Sequence, residues 1–144
     1  MKPFGSSVAF THQRNADLMR VFRRRLHEAA LIRMPEIFRL VADSPSSRFW
    51  VSEERAAIVI SSLEAGRPFP CMTASKREMF AEIHRRYKIL RPSYPALSLL
   101  EVVSIIVNQP APKFYLTPRS VGEFIYRIRN GYYEDKKYAP SRPL

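Results

Sequence analysis

The stretches SPSSRFWVS (residues 44–52) and QPAPKFYLT (residues 109–117) are one pattern written twice. Each contains a proline, two small or cyclic residues, a cation, phenylalanine, a second aromatic, an aliphatic residue and a hydroxyl. Pro45 matches Pro110, Arg48 matches Lys113, Phe49 matches Phe114, Trp50 matches Tyr115 and Ser52 matches Thr117, always at an offset of 65. A repeat of this period means that one supersecondary unit is used twice.

The register holds outward from these stretches. Residues 35–66 align with 100–131 without a gap, and only five of the 32 positions are identical. The substitutions carry the match: Ile37/Val102, Leu40/Ile105, Val41/Ile106, Val51/Leu116 and Leu63/Ile128 preserve chemistry in register. Gly66 and Gly131 close the two copies, as glycine does at helix C-termini. Upstream the offset becomes 61, which sets Phe22 on Ile83 and Arg24-Arg25 on Arg85-Arg86.

Apolar spacing predicts six helices. The first covers 15–30 with Asn15 as cap and Leu18, Phe22 and Leu26 inward; the second covers 35–42 with Ile37, Phe38 and Val41 inward. The third spans 53–64, capped by Ser52, with Glu53 and Glu54 complementing the helix dipole. The fourth spans 75–90 on a stripe of Met79, Phe80, Ile83, Tyr87 and Leu90. The fifth, 98–108, is apolar around most of its circumference and is expected at the centre of a shared core. The sixth spans 118–130, capped by Thr117 with Pro118 in its first turn. The expected fold class is all-α: two pseudo-repeated three-helix units (helix, helix, aromatic loop, helix) packed into one compact body. The expected divisions are 1–66, 67–131 and a flexible tail at 132–144.

Charge is the main compositional clue. Lys and Arg number 24 against 13 acids, a formal net charge of +11, which favours a polyanionic partner. The longest nearly apolar run, 97–107, is too short to span a bilayer, so no membrane partner is expected. The opening MKPFGSSVAFTHQR lacks a signal-peptide core. With a single cysteine, Cys71, this points to a reducing cytoplasm.

The basic candidates for nucleic-acid contact are Arg20, Arg23, Arg24 and Arg25 on the first helix and Lys76, Arg77, Arg85, Arg86 and Lys88 on the fourth. The sixth adds Arg119, Arg127 and Arg129, beside Ser120, Tyr126 and Asn130. The third helix is acidic and a poor partner for phosphate. In the repeated loops, Arg48 and Lys113 offer phosphate contacts, while Trp50 and Tyr115 offer stacking surfaces. A packing use is favoured, because Phe49 and Phe114 can fill the gap ahead of a capped helix and every other position has a similar role. The arrangement is loosely helix-turn-helix-like, although that motif uses a turn of about three or four residues. His12, His27 and His84 lack metal-ligand spacing, and no glycine-rich phosphate loop exists. Cys71 beside Pro70 reads as buried or inert. No catalytic residue, metal or cofactor is expected.

The strings RFWVSEERAAIVI, ASKREMFAEIHRRY and QPAPKFYLTPRSV resemble a family of small basic proteins from Bacteroidales genomes and their mobile elements. The resemblance runs from the first helix to the sixth. It carries no assigned activity and implies a bacterial cytoplasmic, phage or transposon setting. The sequence thus leads to a non-enzymatic nucleic-acid-binding protein, DNA ahead of RNA, acting as a regulator or accessory factor of a mobile element or phage. The alternative is a protein–protein adaptor or structural component anchored by exposed Trp50, Tyr115, Tyr132 and Tyr133.

Overall fold

The structure is a computed structural model that describes residues 6–134, with side chains from residue 8. Its α-helices are α1 (Ser6–Glu28), α2 (Met34–Ala42), α3 (Glu53–Glu64), α4 (Ala74–Leu90), α5 (Leu99–Val107) and α6 (Pro118–Arg129). Short 3-10 turns occupy Arg91–Ser93 and Tyr132–Glu134. The tail expected at 132–144 lies outside the described residues beyond 134.

Local chemistry fixes most helix ends. Side chains of Ser52, Thr73, Ser98 and Thr117 accept backbone N–H bonds from Arg55, Lys76, Glu101 and Ser120. These bonds satisfy donors that the first turn leaves unpaired. At Ser98 the Glu101 carboxylate accepts in turn from the cap backbone N–H, completing a capping box. Gly66 and Gly131 follow α3 and α6 with φ of 81° and 73°, the left-handed region that glycine enters without strain. The bounds of α2 and α5 differ by 65 at both ends, as do those of α3 and α6. One expected cap is displaced: α1 begins at Ser6, and Asn15 lies buried inside it. The Asn15 amide oxygen accepts from Arg14 Nη2 at 3.0 Å, so a neighbouring side chain meets its need and it does not terminate the helix.

The helices group into two compact units. One takes residues 45–116, with α3 packed on α5 and α4; the other joins 6–44 to 117–134, with α6 packed on α2 and α1. Their extents differ from the expected divisions 1–66 and 67–131: α3 packs with α4 and α5, and α6 with α1 and α2. The connectors 43–52 and 108–117 are ten residues each, long enough to carry the third helix away from its predecessor. A helix-turn-helix connection of about three or four residues would hold the pair together. Since α2 and α3 belong to different units, the segment they form is not a helix-turn-helix.

In the 45–116 unit the core comprises Phe49, Ile60, Phe80, Ile83, Val102 and Ile106, all essentially solvent-free. Helix α5 contributes Val102, Val103, Ile106 and Val107, while Leu100 and Ile105 stay exposed. It is therefore the inner helix of this unit, covered on two sides by α3 and α4, and its outer flank is open. The two aromatic loops pair here. Ser46 and Ala111 exchange N–H···O=C bonds of 3.1 Å in both directions, and the Phe49 N–H donates to Val107 O at 3.0 Å. The Ser46 hydroxyl donates to Arg48 O at 2.8 Å. Phe49 and Tyr115 stack with centroids 6.0 Å apart and planes 13° from parallel. Tyr115 has φ of 58°, a conformation that costs a non-glycine residue about 1–3 kcal/mol. Burial and the Phe49 stack hold it there. Trp50, its counterpart at the offset of 65, is not in that region and is half-buried.

The other unit packs Leu18, Val21 and Phe22 of α1 against Ile37 and Val41 of α2 and Val121 and Ile125 of α6. Phe38 sits 6.3 Å from Phe22, ring to ring.

Phe49→Ala removes a solvent-free ring and the stacking partner of a strained tyrosine. It should destabilise the protein by about 3–5 kcal/mol in urea or thermal unfolding. Trp50→Ala, at a half-buried site, should cost clearly less.

Candidate nucleic-acid interface

On α1 the apolar residues Leu18, Val21 and Phe22 take one face, which leaves Arg20, Arg23, Arg24 and His27 along the opposite, exposed face. Their i, i+3, i+4, i+7 spacing makes one stripe, about 10 Å long at 1.5 Å per residue. Its members differ in how freely they can meet a ligand. Arg20 is engaged by the buried Asp17 carboxylate at 2.7 Å. Arg25 lies off the stripe, half-buried, with Nε donating to Ser44 Oγ at 3.0 Å and Nη1 3.5 Å from Glu28. Arg23 and Arg24 are exposed and have no ion-pair partner among the described residues.

The α4 cluster is put to a different use. Glu82 binds Arg85 and Arg86 together, at 2.7 Å each. Those hydrogen bonds, Arg85 first, hold its carboxyl down at about 2. Arg86 also donates to Gln109 Oε1 at 3.2 Å and Pro110 O at 3.1 Å, and lies 4.9 Å over the Phe49 ring. It ties α4 to the second aromatic loop and is a structural residue. Lys76, Arg77 and Lys88 remain exposed.

The loop cations are likewise occupied. Arg48 Nε and Nη2 donate to Phe49 O and Val51 O, each at 3.0 Å, with the guanidinium 5.2 Å from the Trp50 ring. Burial lowers its pKa. Lys113 pairs with Glu78 at 2.5 Å. Phe49, Phe114 and Tyr115 are buried. Burial, then repulsion from Glu82 and Glu78, pushes the Tyr115 phenol up to about 12. The exposed anchor expected at Tyr115 is thus absent, because its ring is spent on the Phe49 stack. Tyr133 is also buried, whereas Tyr132 is half-exposed.

A second basic surface forms at α6. Phe38, Gly122, Tyr126 and Tyr132, with Arg119, Glu123 and Arg127, line an open groove of about 730 Å³. Arg119 Nε is 3.3 Å from Glu123, and the Arg127 guanidinium lies 5.5 Å over the Tyr132 ring. Arg129 leaves the groove and packs 5.1 Å from Phe22. Sequence reasoning set Phe38 inward and did not connect it to Tyr126. The signal was Gly122, a glycine inside a helix with no turn to explain it.

Cys71 is exposed, contrary to a buried reading, because the connector holding it lies on the surface. Among the described residues no group of three His, Cys, Asp or Glu side chains could hold a metal, and no helix is long and apolar enough to cross a membrane. No protein-family model, curated protein or solved structure matches the chain.

Glu82 has a folded pKa below its ordinary 4.5. Its contribution to stability is therefore complete above about 4.5 and is lost as pH falls toward about 2. Glu82→Gln should be less stable than the parent at neutral pH, and the gap should narrow through this acid range in unfolding titrations.

Proposed function

We propose that the protein is a non-enzymatic nucleic-acid-binding protein, with DNA ahead of RNA, whose backbone-contacting surface is the arginine stripe of α1. The carrying observation is that Arg23 and Arg24 stand exposed and unneutralised beside Arg20 and His27 on one helix face. Exposed cations in a row suit phosphates, which supply most of the affinity of such contacts and carry no sequence information. A net charge of +11 adds long-range attraction to a polyanion. The Glu82-bound arginines of α4 contribute field but not direct contacts. The setting implied by the sequence resemblance, a mobile element or phage, is one in which such a regulator or accessory factor would act.

We also infer that the chain is an internal repeat whose two third helices are exchanged. Helix bounds in register at 65, hydroxyl caps at Ser52 and Thr117, and closing glycines at 66 and 131 support this. So does the bridge at Ser46 and Ala111, which pairs two residues that are themselves 65 apart.

Anisotropy titration with a generic duplex should show binding at about 50 mM salt that weakens steeply by about 200 mM. Arg23→Gln with Arg24→Gln should reduce the log–log salt slope by about 0.9 for each phosphate no longer neutralised and leave the melting temperature unchanged. Arg85→Gln should barely alter the slope. Absent binding at low salt, or affinity flat with salt, would falsify the reading.

A further inference from the structure

We propose that the groove between α2 and α6 is a stacking site for an unpaired base of single-stranded nucleic acid, with Arg119 and Arg127 engaging its flanking phosphates. This rests on the nucleic-acid reading above and assigns the kind of strand that the α6 surface takes.

Three observations carry it. First, two large aromatics of the groove present ring surface to water: Tyr126 is 69% exposed and Tyr132 50%. A flat ring with one polar edge is the side chain on which bases stack, and it does so whatever the base, because every base has a π-face.

Second, the floor of the groove is built by a missing side chain. A Cβ on Gly122 would come within 2.8 Å of Phe38 Cε2. Glycine at this helical position lets the Phe38 ring lie against α6 and continue the aromatic wall toward Tyr126 and Tyr132. Glycine in a helix interior is less stable than alanine, so the close approach is what it provides.

Third, the mouth is cationic. Arg119 and Arg127 share the Tyr126 face of α6, and the one acid lining the groove there, Glu123, is already engaged by Arg119. Arg127 lies above the Tyr132 ring, where it can add cation–π attraction to a base stacked beside it.

The chemistry selects a single strand. Bases in a duplex are stacked on both faces and cannot enter the groove without melting, whereas an unpaired base brings a free face and a phosphate on each side. The α1 stripe makes no such distinction, because it needs only phosphates.

The test uses the full chain and anisotropy on three probes of equal length: an oligothymidylate of about twelve nucleotides, an abasic strand, and a duplex. The thymidylate should bind at least about ten-fold more tightly than the abasic strand, since each stacked base is worth roughly that factor. Tyr126→Ala with Tyr132→Ala should bring the thymidylate down to the abasic level and leave duplex affinity unchanged. Tyr132 touches the buried Tyr133 edge-on, so Tyr126→Ala alone is the second variant, chosen at an exposed position. Equal binding of thymidylate and abasic strands by the parent overturns the groove assignment, as does a Tyr126→Ala protein that keeps its thymidylate affinity. Either result can stand beside intact duplex binding, in which case only the groove assignment falls. A chain that binds none of the three probes sinks the nucleic-acid reading itself.

Discussion

The reciprocal hydrogen bonds between Ser46 and Ala111 hold the two aromatic loops side by side, and the packing of the 45–116 unit follows from that pairing. Two backbone bonds alone would not survive in water, where even a whole hairpin is marginal. Side chains make the pairing durable. Phe49 and Tyr115 stack across the loops, the Ser46 hydroxyl bonds within them, and Arg86 reaches from α4 to the Pro110 carbonyl. Each loop then delivers a hydroxyl to the start of its third helix, so the same few residues fix where α3 and α6 begin.

The cations divide by depth into two populations. Those near the loops, Arg48, Arg86 and Lys113, spend their donors on carbonyls, a carboxylate and ring faces. Truncating Arg48 would remove the donor from the part-buried Phe49 and Val51 carbonyls and the packing of its stem, as well as its charge. Those on the outer faces of α1 and α6 are held by single contacts or none. Net charge is therefore a poor guide to where a polyanion would sit, and the pairing of each arginine is a better one.

Helix spans and caps were legible in the sequence because they are local. Ser52 lies three residues before the N–H it receives, and Gly66 closes the same helix. What the sequence left open is non-local. Nothing local to residues 53–64 or 118–129 says that the first packs on α4 and α5 and the second on α1 and α2. The misplaced cap at Asn15 has a side-chain cause in Arg14, and the misplaced exposure of Tyr115 has one in Phe49. The α6 groove gathers residues 38, 119–127 and 132, which no periodicity joins. Only Gly122 marked it, and a lone glycine has several meanings.

The order of the helices along the chain has a bearing on synthesis. The 45–116 unit is contiguous, so its three helices and both loops leave the ribosome together and can close at once. The unit containing α1 cannot, since α6 completes its core and comes from residues 118–129. During translation α1 and α2 wait with Phe22 and Val41 uncovered while some seventy intervening residues, about half the chain, are made. Exposed apolar faces on a nascent chain invite chaperones or neighbours, and a dense positive charge is one protection against the second. The arginines of α1 would then serve the nascent chain, by keeping an unfinished unit apart from its own kind.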